Sequence, residues 1–174
     1  MILAIDIGNT TVTLGGVQTA AQMYSLEFTA RIDINYEWSA SQYETSIRQL
    51  FENENLSPSD FRGIIISSVV PPVLTLLQEC VRHLFGMEPL LVTSESDLGM
   101  TFAIPHPEKV GRDRLVDAAW AAAHYPLPVI TVDLGTATTF NVIQENSVFC
   151  GGAIAPGLDM GLNALAERTA QLPR

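Results

Sequence analysis

The sequence carries one short motif twice. Asp6-Ile7-Gly8-Asn9-Thr10-Thr11 follows the apolar run Ile2–Ile5, and Asp133-Leu134-Gly135-Thr136-Ala137-Thr138-Thr139 follows Val129–Val132. In both copies a carboxylate closes an apolar stretch, a glycine comes two residues later, and hydroxyl side chains crowd the next positions. Glycine lets the backbone turn tightly and lets a ligand approach closely. Successive amide N–H groups in such a turn form an anion-binding concavity. An Asp at a strand end suits Mg²⁺, which takes a carboxylate or two and fills its shell with water and substrate phosphates. The β-branched residues of Val12-Thr13-Leu14 favour a second strand after the turn. That separates the motif from the GxGxxG and GxxxxGK[ST] loops, which lead from a strand into a helix. An ordinary hairpin uses the same Gly-Asn chemistry, so one copy alone leaves both readings open. Two copies favour phosphate binding and two related half-domains facing a nucleotide.

Hydrophobic periodicity extends the repeat. Ile2–Ile7, Thr11–Gly16 and Tyr24–Ala30 predict an opening antiparallel meander. Residues Glu37 to Glu54 predict a helix, with Tyr43, Ile47, Leu50 and Phe51 at three- and four-residue steps. Glu52-Asn53-Glu54 reads as its solvated end. Gly63–Ser67 is a continuous apolar strand, as in a sheet covered on both faces. Pro71-Pro72 opens a helix to Phe85, and Pro89–Thr93 is a further strand. Thr101–Val110, with two prolines, predicts a loop, and Arg112–His124 an alanine-rich helix. Val129–Asp133, Thr138–Gln144 and Val148–Ala153 restart the strand pattern. Leu158–Leu172 closes with a helix whose Leu158, Leu162, Leu165 and Ala166 share a face. The order is β-β-β-α-β-α-β, then α, then β-β-β-α. The expected domains are 1–111 and 112–174, the second lacking strands and helices that its counterpart has. Asp6 and Asp133 lie 127 residues apart, and only 41 residues follow Asp133. The chain is thus expected to be a fragment, or to have its open sheet edge covered by something else.

Charge and composition limit the partners. With 47% hydrophobic residues the chain can build a core, and its net charge of −10 argues against nucleic acid, which needs clustered Lys and Arg. An acidic protein holds phosphates through metal ions, backbone N–H groups and a few placed cations. Cys80 and Cys150 stand outside any metal-ligand or CxxC spacing and read as buried thiols in a reducing compartment. No signal-peptide pattern and no bilayer-length apolar run is present, so a cytoplasmic protein without membrane contact is expected. His83, His106 and His124 are isolated and read as non-ligands, and Trp38 and Trp120 as packing residues.

Gly111-Arg112-Asp113-Arg114 opens the alanine-rich helix. A first-turn Asp is favoured there by the helix dipole, which accounts for it without any catalytic role. The functional alternative makes Asp113 a base that takes a proton from a hydroxyl, beside an Arg that binds an anionic group, as a kinase requires.

Taken together, Asp6–Thr10, Val110–Arg114, Asp133–Thr139, Gly151-Gly152-Ala153-Ile154-Ala155-Pro156-Gly157 and the tail Ala164–Pro173 resemble type III pantothenate kinases over the whole chain. The resemblance implies an α/β fold of duplicated ribonuclease-H-like domains with mixed sheets, in the acetate and sugar kinase and actin superfamily. It implies ATP-dependent phosphorylation of pantothenate, the first step of coenzyme A synthesis, by a homodimer that needs Mg²⁺ and a monovalent cation, K⁺ or NH₄⁺. By this resemblance Asp6, Gly8, Asn9, Thr10, Thr11 and Thr13 form the first ATP phosphate loop, with Asp6 near Mg²⁺. Asp113 is the general base. Gly111, Arg112, Asp113 and Arg114 contact pantothenate, Arg114 through its carboxylate. Asp133 binds the monovalent cation, Thr136 contacts ATP, and Gly151–Gly157 line the cleft. The chain departs from the family in three ways. Ile104 stands where a substrate-contacting tyrosine is usual, Arg112 replaces a small residue, and family members continue for about another third of this length, with a further substrate-contacting threonine. These departures frame the alternative: a catalytically impaired homologue or fragment serving as a nucleotide-binding or transcriptional accessory protein. A kinase for another small hydroxy acid is a third reading.

Overall fold

The structure, a computed structural model, describes residues 1–20 and 23–168. The end of the expected closing helix and the Thr169–Pro173 part of the tail lie outside the described residues. The chain divides into two compact units, Met1–Thr93 and Ser94–Arg174.

Unit 1 is a mixed sheet with two helices. β1 (Ile2–Ile7), β2 (Thr11–Ala20) and β3 (Met23–Asp33) form the antiparallel meander, β4 (Gly63–Ser68) lies parallel to β1, and the short β5 (Leu90–Leu91) lies parallel to β4, giving the order β3-β2-β1-β4-β5. α1 (Ala40–Asn53) and α2 (Pro71–Phe85) pack on each other. Leu3, Ile5 and Ile7 alternate into a core with Tyr43, Ile47 and Phe51 of α1 and Val73, Leu77 and Val81 of α2. α1 starts at Ala40 rather than at Glu37 because the Gln42 side chain accepts the Ser39 N–H at 2.9 Å, a capping contact that fixes the first turn. α2 stops where Gly86 takes a left-handed conformation, φ 66°.

Unit 2 restarts the meander. β7 (Val129–Leu134), β8 (Ala137–Gln144) and β9 (Val148–Pro156) are antiparallel neighbours, and β6 (Thr101–Phe102) pairs with β9 in parallel, giving β6-β9-β8-β7. α3 (Arg112–His124) packs on β8 and β7, with Ala118 and Ala121 against Ile143 and Phe149. α4 (Leu158–Arg168) follows β9 as α1 follows β3.

Several sequence expectations are revised here. The proline-rich stretch 101–110 is not wholly loop, because Thr101–Phe102 joins the edge of β9 and Pro107–Lys109 makes one 3₁₀ turn. For the same reason residues 94–111 pack with the second unit, and the division falls at 93/94 rather than 111/112. Trp120 is 56% exposed and stacks on His124 with ring centroids 3.5 Å apart, whereas Trp38 does pack on the core. Cys80 is buried but Cys150 only partly so, and both are free thiols. The apolar face expected of α4 is present but open, with Leu158, Leu162 and Leu165 all more than half exposed.

Candidate active site

Both Asp-x-Gly segments are strand-to-strand turns, and they are unequal. In the first, Asp6 pairs with Thr13 across the β1–β2 ladder, and the Gly8 N–H donates to the Thr11 carbonyl at 3.0 Å. In the second, Asp133 pairs with Thr139 across β7–β8, and the Gly135 N–H donates to the Ala137 carbonyl at 3.1 Å. The second turn is therefore one residue tighter.

The first turn is tied down from the end of β3. The Ile34 N–H donates to the Thr10 carbonyl at 2.8 Å, and the Tyr36 hydroxyl to the Asn9 carbonyl at 3.3 Å. A planar trans peptide points its N–H opposite to its C=O, so the amides of Thr10 and Thr11 are directed away from β3. Residues Asp33 to Trp38 line a pocket of about 670 Å³ at this end of the unit. Ile5 and Ile7 enter the core, so strand alternation places the exposed Asp6 carboxylate on the opposite face. The ladder registers put Thr13 and Ser67 beside it on that face.

The second turn is braced by Gly157, the last glycine of residues 151–157. The Gly157 N–H donates to the Thr136 carbonyl at 3.2 Å. A Cβ on Gly157 would lie 2.4 Å from the carbonyl oxygens of Gly135 and Thr136, so only glycine lets α4 begin against the turn. Gly152 has a comparable role. A Cβ there would lie 1.8 Å from the Phe140 carbonyl oxygen and 2.9 Å from Arg114 Nη2.

Arg114 is held accordingly. Its Nε donates to Asn141 Oδ1 at 2.7 Å and its Nη2 to the Phe140 carbonyl at 3.1 Å, while Asn141 Nδ2 donates to Thr131 Oγ1 at 3.0 Å. This network joins the start of α3 to β8 and β7. Asp113, in the first turn of α3, accepts the Arg114 N–H at 2.8 Å. Ile104 packs in the apolar cluster of this unit. Asp133 and Thr131 of β7 share a pocket of about 380 Å³ with Asp117 and Trp120 of α3.

Within unit 1 the expected residues Asp6, Gly8, Asn9, Thr10, Thr11 and Thr13 thus form one turn and its flanks. Within unit 2 Gly111 to Arg114 cap α3, while Asp133 and Thr136 belong to the second turn. Sequence reasoning passed over Asn141, Asp117 and Ser67 as site residues, and named Thr139 only as one hydroxyl of the second motif. Asp117 was detectable as the residue one helical turn beyond Asp113. Asn141 was detectable as a polar residue on the inward side of an alternating strand. The three histidines are not isolated: His83 meets Glu44, His106 meets Glu108 and His124 meets the Trp120 carbonyl.

Two buried side-chain oxygens among the described residues have no hydrogen-bond partner, Ser67 Oγ and Thr139 Oγ1. A buried polar group left unpaired costs about 1–3 kcal/mol. Hard oxygen donors beside a strand-end carboxylate suit Mg²⁺ or an alkali cation that completes its shell with water and phosphate, so the residues present fit such an ion.

Two mixed sheets, each headed by an Asp-x-Gly hairpin, define an actin-like ATPase fold. The type II variant of the Aquifex aeolicus Ppx/GppA phosphatase shares it, with a TM-score of 0.54 at 15% identity over 98% of this chain and 55% of that one. The chain itself belongs to the type III pantothenate kinase family, whose sequence profile matches residues 2–174. A type III pantothenate kinase of Listeria monocytogenes serotype 4a is 41% identical over 175 residues, and one of Finegoldia magna 38% over 174. The match takes in all of this chain but 66% and 65% of those relatives, so the chain spans just under two thirds of their length, and they exceed it by about half its length rather than by the expected third.

Proposed function

We propose that this chain carries out, or forms the larger part of an enzyme that carries out, transfer of the ATP γ-phosphoryl group to pantothenate, giving 4'-phosphopantothenate. The observation that carries the reading is the pair of Asp-x-Gly turns together with an Asp in the first turn of α3, in a chain of this family. The first turn takes the ATP phosphates, with Asp6 beside Mg²⁺; bound there, Mg²⁺ supplies neutralisation of phosphate charge. Asp113 accepts the proton of the substrate hydroxyl. The freed oxygen bonds to the γ-phosphorus as the bond to the β–γ bridging oxygen breaks, and ADP leaves. Asp133 holds K⁺ or NH₄⁺, Thr136 contacts ATP, and Gly111 to Arg114 contact pantothenate. Because Arg114 is oriented by Asn141 and Phe140, its guanidinium meets the substrate carboxylate already aligned. The same reading makes the protein a cytoplasmic homodimer; no helix of the described residues is long and apolar enough to cross a membrane.

The test is pantothenate phosphorylation in the presence of ATP, Mg²⁺ and K⁺. Asp113→Asn should lower kcat about 10²-fold or more, the range of a lost general base, and leave ATP binding in place. Equal turnover by both proteins would rule Asp113 out as the base. A second reading, nucleotide binding without turnover, is favoured by Ile104, an apolar packing residue where a substrate-contacting tyrosine is expected. ATP binding without phosphorylation would select it.

A further inference from the structure

We infer that the buried hydroxyls of Ser67 and Thr139 are ligand-binding groups, each completing the cation site headed by the carboxylate across the ladder from it. The inference deepens the proposed reading and rests on it for the identity of the ions. Three observations converge.

First, these two oxygens are the unpartnered buried side-chain polar atoms among the described residues, and each residue is only 7% exposed. Native proteins pair buried polar groups, so each exception calls for a cause. Second, both stand at the same place in the repeated architecture. Ser67 pairs with Asp6 in the parallel β1–β4 ladder, and Thr139 pairs with Asp133 in the antiparallel β7–β8 ladder. Asp6 is the sole carboxylate of β1, and Asp133 of β7. Laddered residues share a sheet face, so each hydroxyl lies on the side of its Asp. In unit 1 the row reads Thr13, Asp6, Ser67 across β2, β1 and β4. Third, the adjacent residues show that a hydroxyl can be satisfied here. The Ser68 Oγ accepts the Val70 N–H at 3.1 Å, and buried Asn141 is bonded on both sides. Alanine at 67 or valine at 139 would fill these positions without an unpaired oxygen.

A carboxylate with a neutral hydroxyl beside it recognises a hard cation or its bound water. It repels a bare anion, so phosphate arrives there as a metal complex. By this chemistry Ser67 belongs to the divalent cation accompanying the nucleotide. Thr139 belongs to the ion at the second turn.

The experiment compares the parent chain with Ser67→Ala, Thr139→Val and Thr139→Ser. Calorimetric titrations use Mn²⁺ alone, then MgATP. Thermal melts compare KCl with choline chloride at equal ionic strength. Without ligand, Ser67→Ala and Thr139→Val should melt at or above the parent temperature, because each removes an unpaired buried oxygen. Ser67→Ala should weaken MgATP and Mn²⁺ binding about tenfold, the scale of a lost hydrogen bond to a charged group. Thr139→Val should lose the KCl-specific stabilisation, and Thr139→Ser should keep it. Unchanged affinity in Ser67→Ala, or a lower ligand-free melting temperature in either variant, overturns the inference while the kinase reading stands. Weakened binding in Ser67→Ala, with no pantothenate turnover by the parent, upholds the inference and overturns the kinase reading. A parent that binds neither Mn²⁺ nor MgATP overturns both.

Discussion

At the scale of single residues, the seating of the α3 start on its sheet depends on a missing side chain as much as on those present. Gly152 shows this most sharply. Gly152→Ala would push a methyl group into the Phe140 carbonyl and against Arg114. The strand cannot yield as a flexible side chain would, so the cost should reach or exceed the roughly 1–3 kcal/mol of ordinary overpacking. Urea unfolding should show the loss, and on the role proposed for Arg114 pantothenate affinity should fall with it, because Arg114 loses its seat. Cys80 gives a different prediction. Burial pushes its thiol up to about 12, so it stays protonated and unreactive at neutral pH. A thiol reagent at pH 8 should leave Cys80 unmodified until denaturant is added. Much of this scale was legible in the sequence. Both Asp-x-Gly turns fall on the expected residues, because a glycine and a strand-ending carboxylate carry local geometry with them. Ser67 was not legible: a serine ending an isoleucine run has no periodic signature, and its burial comes from residues distant in sequence.

At the scale of elements, β1 and β7 are the same strand in two settings. With the offset of 127, Leu3, Ile5 and Ile7 correspond to Ile130, Val132 and Leu134. The first three are at most 2% exposed, while the second three are 53–68% exposed. Ile5→Lys should unfold unit 1, since an unpaired buried charge exceeds what a small fold's 5–15 kcal/mol can absorb. Val132→Lys should change stability by no more than about 0.5 kcal/mol and should lessen self-association, because an exposed apolar edge strand is a pairing hazard. Circular dichroism melts and light scattering would separate these outcomes. The contrast explains why the two strands read alike: alternation predicts a strand and its faces, but what covers a face is decided elsewhere in the chain. β6 was missed for the same reason, since two residues among prolines become a strand only by lying beside β9.

The pair α1 and α2 carries a pH dependence of its own. His83 Nδ1 lies 2.6 Å from Glu44 Oε2, and Arg48 Nε and Nη2 donate to Glu44 Oε1 at 2.8 and 2.7 Å. The hydrogen bond with His83, then those with Arg48, hold the Glu44 carboxyl below its ordinary value of 4.5. A depressed carboxyl stabilises the fold above its unfolded value, and that contribution fades as pH falls through the folded one. His83 and Arg48 are both half exposed or more, so solvent screening keeps the effect small. Glu44→Gln should melt slightly below the parent at pH 6–7, and the two curves should converge below about pH 4.

At the scale of the molecule, the two units differ in how far each encloses its own core. Unit 1 places β1, β2, β4, α1 and α2 around one cluster that includes Leu3, Tyr43, Phe51, Leu77 and Val81. Unit 2 buries Ala118, Ala121, Ile143 and Phe149 on the α3 side of its sheet and leaves the other apolar side open. Residues 1–93 expressed alone should therefore fold and melt cooperatively, which far-UV and near-UV circular dichroism would report. A non-cooperative melt would show that this core is insufficient. The duplication itself was readable from the motif spacing. The point of division was not, because it depends on a two-residue strand.

The unequal glycine turns also act as clocks. Each commits one amide to a single carbonyl: Gly8 to Thr11, Gly135 to Ala137, and Gly157 to Thr136. Such an amide exchanges its hydrogen with solvent only when that bond opens. The three exchange rates therefore time the opening of the first turn, of the second turn, and of the junction between the second turn and α4.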